Sequence, residues 1–279
     1  MANGGIIGPA NDPVIQDLVT VATSSQPSFA VNPATTSVGL LVVAGGGNSN
    51  PGGQAGAGGA GGYRYFASVP VTPGGPYPLT VGGASSPSSA MGYTSSGGGN
   101  GVAPRGASPG EPGGSGGGCA DFFPGGGGSG GSGNAGGYSP PEGNPGSGAS
   151  PSANNGETPG AGGGSSSAGS IGTNPVSGPY TAIGGQGTPN SITGTDLWYA
   201  TGGFYPAGPP ASPVAEGQGY PSNANPSAAN TGNGAQGEGP VSGGSGVVVV
   251  SEPGVGPFVA SGVWTLSEQF AAIKAGNWQ

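Results

Sequence analysis

The chain has 279 residues, of which 70 are Gly and 31 are Pro, so these two types together exceed a third of it. Leu, Ile, Val and Phe supply only roughly 15 %, below the level of an ordinary globular core, yet charged residues at 5 % are too few for a solvated disordered tail. The only cations are Arg64, Arg105 and Lys274, so with a net charge of −8 no basic patch exists to neutralise phosphates, and nucleic acid is excluded as a partner.

Other classes fall away for equally simple reasons. No apolar run approaches the ~18 residues of a membrane-spanning helix, so no membrane insertion is expected. The opening MANGGIIGPANDPVIQDL has no basic segment followed by an apolar one, so no secretory signal is expected. There is no His, and the 11 carboxylates are scattered singly. The commonest general base and metal ligand is therefore missing, and no local carboxylate pair suggests hydrolysis. The expectation is a protein that is not an enzyme and carries neither cofactor nor metal. The single cysteine, Cys119, reads as a small apolar filler, because no His or nearby cation would activate it.

In chain order, residues 1–28 read as an irregular polar attachment leader. FAVNPATTSVGLLVVA (29–44) reads as two short strands around a turn at Asn32-Pro33. The second is apolar on both faces, Val38, Leu40 and Val42 on one and Leu41 and Val43 on the other, which predicts burial from both sides. YRYFASVPVTPGGPYPLTVGG (63–83) alternates, with Tyr63, Tyr65, Ala67, Val69 and Val71 on one face. A turn at Thr72-Pro73-Gly74-Gly75 then leads to Tyr77, Leu79 and Val81, a hairpin signal. Far downstream, GVVVVSE (246–252) is a second doubly apolar strand. Residues 29–83 and 241–256 are therefore predicted to form a small β-sandwich, with 84–240 as a glycine-rich insertion.

The insertion and its approach have a period. Gly53, Gly56, Gly59 and Gly62 are spaced by three, as are Gly110, Gly113 and Gly116, and Gly125, Gly128 and Gly131. A period of three matches a polyproline-II-type helix, and a glycine on every turn leaves one face bare for a neighbouring backbone. The triplets are too often interrupted for collagen. The prediction is a stack of short polyglycine-II helices within one chain, held by backbone hydrogen bonds between helices, with under a tenth of 84–240 in α-helix. A flexible linker is the competing reading, but a spacer would have no use for Phe122, Phe123, Tyr138, Tyr180, Trp198, Tyr199, Phe204 and Tyr205. In the tail, 257–279, Thr265-x-x-Glu268 is a capping box, 266–275 is a helix run and Gly276 sits at the C-cap. Trp264, Phe270, Ile273 and Trp278 give that short helix more apolar surface than it can satisfy, so they are read as an assembly contact or as packing on the sandwich.

LLVVAGGG (40–47), GGAGGYR (58–64), VTPGGPYPLTVGG (71–83) and the closing GVVVVSE, in that order, resemble the glycine-rich domain of tailed-phage tail-fibre and other virion proteins. IIGPANDPVI (6–15) and GVWTLSEQFAAIKAGNW (262–278) resemble the ends of such proteins in phages of cyanobacteria and marine bacteria. The predicted polyglycine-II architecture is similar to that of the tip adhesins of T-even-like phages. The resemblance implies an all-β, partly irregular fold: a small β-sandwich anchoring a glycine-rich lattice, with a short C-terminal helix. It also implies a virion location, synthesis in the host cytoplasm, other virion subunits or further copies of the chain as partners, and host-surface recognition. Among aromatics, Trp198, Tyr199, Phe204 and Tyr205 are the candidate glycan-stacking residues, since ring faces suit sugar C–H groups, and Trp198 and Tyr199 are then expected exposed at a free end of the lattice. The alternative is a capsid decoration or fibre-attachment subunit with a purely structural role.

Overall fold

The computed structural model describes residues 16–51, 55–103, 109–120, 128–149, 159–171, 181–206, 228–237 and 239–254, and every regular element among them is a β-strand. The C-terminal helix and its contact residues Trp264, Phe270, Ile273 and Trp278 lie outside the described residues, as do Gly53 and Gly125.

The two Val- and Leu-rich runs form the centre of the first sheet. β3 (Ser37–Val43) pairs antiparallel with β12 (Val247–Glu252), from Val43 opposite Val247 to Gly39 opposite Ser251. β1 (Leu18–Ala22) borders β12 and β4 (Tyr63–Pro70) borders β3, giving the order β1-β12-β3-β4. The second sheet has the order β2-β5-β6-β7, from β2 (Gln26–Ala30), β5 (Pro76–Thr80), β6 (Ser88–Ala90) and β7 (Tyr93–Ser95). Val38, Leu40, Val42, Val248 and Val250 face this second sheet and pack with Val31, Leu79 and Ala90. On the opposite face Leu41, Val43, Val247 and Val249 pack under Ala60, Tyr199 and Ala200 of the glycine-rich chain. The doubly apolar strands are thus buried from both sides, once by a sheet and once by glycine segments. Each such side chain contributes roughly 1.5–3 kcal/mol when fully buried.

Four expectations are corrected. The leader is not wholly irregular: LVTVA forms β1 against β12, and β2 begins at Gln26. The 63–83 hairpin keeps its turn, with Gly75 N donating to Thr72 O at 2.9 Å and Gly74 at φ 68, but its arms do not pair. β4 joins the first sheet and β5 the second, because Val69 and Leu79 both point into the space between the layers. The predicted face of β4 is also split. A register shift opposite Val38 to Leu40 places Phe66 on the sandwich core beside Val69 and Val71, sends Tyr63 to the other face, and leaves Tyr65 exposed. The second sheet continues to Ser95, past residue 83.

The glycine segments are joined by backbone bonds with a repeat of three. In the buried segment 55–62, Gly56, Gly59 and Gly62 donate N–H to Val102, Gly99 and Ser96 carbonyls at 3.0, 2.8 and 2.8 Å. Ala57 and Ala60 donate to Gly160 and Gly163, while Gly58 and Gly61 donate to Ala235 and Gly232. Three other segments donate back: Ala44 and Gly47 to Gly62 and Gly59, Ser115 and Gly118 to Ala60 and Ala57, and Gly203 to Gly58. Residues three apart therefore address the same neighbour, and the segment is enclosed on all sides by backbone.

Side chains would break this arrangement. A Cβ on Gly59 would run into the carbonyls of Ser115 and Gly116, and one on Gly56 into that of Gly118. Gly110, Gly113, Gly116 and Gly131 are equally crowded by backbone, Gly62 is crowded by the Glu142 carboxylate, and Gly128 is half-buried. Where a peptide partner is missing, an Asn amide replaces it. Asn100 Oδ1 accepts from Asn48 N at 2.8 Å, Asn233 Oδ1 accepts from Thr201 N at 2.9 Å, and Asn144 Nδ2 donates to Gly164 O and Ser165 O.

Glu142 ties this part to the sandwich. Its fully buried carboxylate accepts from Ser96 N at 2.8 Å and Gly136 N at 3.1 Å, and its carbonyl accepts from Tyr63 N. Next to it the Arg64 guanidinium lies 3.8 Å from the Tyr138 ring centre, with Phe66 and Tyr93 on its other sides.

Gly59→Val separates 55–62 from its neighbour and forfeits several bonds worth about 1 kcal/mol each, besides about 1–3 kcal/mol of overpacking. The melting temperature should fall by about 10 °C or more, at about 2–4 °C per kcal/mol for a chain of this size. Ser129→Val, at an exposed position, should leave the melt within about 2 °C. Equal melts for the two variants would contradict the packing described.

Candidate functional site

The aromatic segment begins in a short ladder. β10 (Leu197–Tyr199) pairs with β9 (Thr188–Asn190), placing Trp198 opposite Pro189 and Tyr199 opposite Thr188. The connection turns tightly at Gly194, φ 89, with Gly194 N bonded to Ser191 O. This hairpin leans on the open face of the first sheet. Tyr199 packs against Leu41, Val43, Val247 and Val249, and Asn190 Nδ2 donates to Tyr63 Oη at 2.8 Å. Burial raises both phenols, Tyr199 and Tyr63, above the usual tyrosine value; bonds from Thr193 and Asn190, respectively, oppose the shift.

Beyond Ala200, at φ 56, the chain runs away from the sandwich to Tyr205, which pairs with Ala182 where β11 (Tyr205–Pro206) meets β8 (Thr181–Ala182). Tyr205 is buried with Ala161 and Ala182, and Phe204 is buried too. Of the four candidate glycan residues, then, Tyr199, Phe204 and Tyr205 are packing groups and Trp198 is half-buried. The expected exposure of Tyr199 at a free end is corrected: it lies at the sandwich end, where a large apolar ring is needed to cover Leu41 and Val249. The four rings do not form one surface.

The hydrogen-bond register points to a different part of the molecule. Taking 55–62 as an axis whose residue 62 meets the sandwich, Val102 lies level with Gly56, and Gly118 and Gly160 with Ala57. Cys119 N bonds Ser147 O, and Ser170 N bonds Ile183 O, further along the same way. The chain therefore departs at residues 51, 103, 120, 149 and 171, and re-enters at 55, 109, 128, 159 and 181, at the end remote from the sandwich, whereas the excursion that departs at 206 re-enters at 228 near the sandwich, where Gly61 N bonds Gly232 O. The joining residues lie outside the described ones; among them the sequence places Arg105, Asp121, Phe122 and Phe123. Sequence reading missed this convergence because it depends on which segments run up and which run down. The recurrence of glycine tracts along the chain, interrupted by short stretches of other residues, was the available signal.

Cys119 is buried with Val102 and Ala120, as an apolar filler would be. Among the described residues no group of three or more His, Cys, Asp and Glu could hold a metal ion, and no helix is long and apolar enough to cross a membrane. No protein-family model matches the chain, and no curated protein matches it.

Two outcomes follow. Tyr199→Ala, which opens a cavity against the central strands, should cost about 3–5 kcal/mol and lower the melt far more than Trp198→Ala. Because the folded state holds Tyr63 and Tyr199 protonated longer than the unfolded state does, stability is fully present below pH ~10 and falls as pH rises above it. Tyr199→Phe should flatten that alkaline decline in a pH series of thermal melts.

Proposed function

We propose that the extended glycine segments are short polyglycine-II helices packed as one lattice on the β-sandwich, and that the chain is a structural protein of a tailed-phage virion, most simply a tail-fibre or appendage protein that takes part in recognising the host surface. The period-three exchange of backbone bonds around 55–62 supports the lattice. The convergence of chain departures at its remote end carries the functional reading. A body held by main-chain bonds leaves the connections free to vary in sequence without disturbing the packing, which suits a surface that must follow a changing receptor.

The recognition role belongs in this reading to the remote end rather than to Trp198, Tyr199, Phe204 and Tyr205. Host-surface glycan or an outer-membrane protein is the proposed ligand, met through aromatic residues of the connections such as Phe122 and Phe123. The tail 257–279, with its helix and with Trp264, Phe270, Ile273 and Trp278, is the proposed attachment to other virion subunits. The burial of three of the four candidate rings is the observation that favours the second reading, a capsid decoration or fibre-attachment subunit without a ligand.

The test uses fluorescently labelled full-length protein on host cells. Phe122→Ala with Phe123→Ala should reduce cell binding by about tenfold or more, the scale of one or two lost stacking contacts, and leave the melt unchanged. Antibody labelling of intact particles should mark the tail. Undiminished binding by the double variant with labelling over the whole capsid would refute the appendage reading and leave the decoration subunit.

A further inference from the structure

An exposed sheet edge offers unpaired N–H and C=O groups to any passing strand, and proteins ordinarily blunt such edges. Among the described residues the edge strands are β1 and β4 in one sheet and β2 and β7 in the other. β2 carries Pro27, β4 carries Pro70 and Arg64, and β7 is only three residues long. β1, LVTVA, has no proline and no charge. Leu18 is 58 % exposed and Val21 47 %, and they lie on opposite faces of the sheet, so the apolar edge is open both above and below. Asp17, the residue before the strand, is turned back to its own sheet, accepting from Ser251 Oγ and Gly254 N at 3.2 Å each, and Glu252, opposite Leu18, is buried and accepts from Asn32 N and Thr35 Oγ1.

We infer that β1 is the contact between two copies of this chain, paired antiparallel about a two-fold axis through Thr20. The strand is complementary to itself in that register. Leu18 falls opposite Ala22 of the second copy, Val19 opposite Val21, and Thr20 opposite Thr20, so apolar groups meet apolar groups and hydroxyl meets hydroxyl. In a chain of net charge −8 an uncharged edge is where two copies approach without like charges opposing. The two four-stranded sheets join into one continuous sheet, and the glycine bundles, which sit on the same face of each, are carried side by side. The ladder is five residues long, at the small end of interfaces, so dissociation constants on the order of 10–100 µM are expected in free solution. This inference does not rest on the virion reading.

The experiment is sedimentation equilibrium of the full chain from about 5 to 500 µM, a range chosen to bracket that constant. The wild type should pass from monomer to dimer across it. Val21→Lys, and independently Leu18→Lys on the opposite face, should raise the dissociation constant by tenfold or more at an unchanged melt. Thr20→Cys supplies the register: directly opposed residues have Cα atoms about 4.5–5.5 Å apart, within the disulfide range. Mild oxidation should therefore cross-link Thr20→Cys quantitatively, but not the wild type, whose Cys119 is buried, and not Thr20→Cys combined with Val21→Lys. A monomer throughout, a dimer indifferent to both lysines, or a Thr20→Cys variant that stays uncross-linked each overturns the proposal.

Discussion

The peptide groups of residues 55–62 are buried with almost no side chains around them, and the architecture follows from that constraint. An extended segment cannot satisfy its own N–H and C=O groups, and a buried group left unpaired costs about 1–3 kcal/mol. Adjacent residues must therefore bond to different stretches of chain, and because residues three apart address the same neighbour the donated bonds go to three segments. Segments 96–102, 160–163 and 232–235 accept; 44–47, 115–118 and 203 donate. The surrounding chain is arranged to provide this ring. It must travel up and down repeatedly, with its reversals at the two ends and only small residues where backbones meet.

Hydrogen bonds alone cannot hold such a body. A backbone bond adds about 1 kcal/mol net, while ordering a residue costs about 1–2 kcal/mol, with a further 0.5–1 for glycine. The deficit is met by apolar burial concentrated where glycine tracts meet side chains. β3 and β12 bury both faces, Tyr199 and Ala60 close over one of them, and Tyr205 fills the space beside Ala161 and Ala182 further out. The long separation of β3 from β12 is a lesser obstacle, since each doubling of a loop costs only about 0.6 kcal/mol. What the sandwich supplies is a fixed row of departure points, Ala44, Gly62 and Gly246 from the first sheet and Ser96 from the second, from which the glycine segments leave already aligned.

How far this was legible in the sequence depends on whether a residue's role is local. The β3 and β12 runs declare burial on both faces because nothing polar interrupts Leu40 to Val43 or Val247 to Val250. The glycines at 56, 59 and 62 declare close approach by their spacing, but Gly58 and Gly61 meet backbone just as closely and follow no separate signal. β1 was hidden because five residues between polar stretches resemble a loop until β12 is known to need a neighbour. The turn at 72–75 looks the same whether its arms pair or part to different sheets, so the sandwich corner read as a hairpin. Above all, a ring among glycines has no periodic partner to orient it. Trp198 and Tyr199 are adjacent, yet one is half-buried and the other sealed beneath the hairpin.

The Asn and Glu residues at the ends of the glycine tracts show how the body stops. A lattice made only of backbone has no natural edge, because its outermost peptide groups would accept another segment as readily as the inner ones do. Along its margins those positions are taken by side chains that imitate or bind a peptide: Asn100 and Asn233 accept from backbone N–H, Asn144 donates to two carbonyls, and Glu142 accepts from Ser96 N and Gly136 N. Each occupies a bonding direction that a further segment would need, and does so without the bulk that would force neighbours apart. Termination is therefore written in short polar side chains and packing in glycine. At the sandwich end the Arg64 guanidinium stacks on Tyr138, close to the buried Glu142, so the joint between glycine segments and sandwich combines a ring contact with carboxylate-to-backbone bonds.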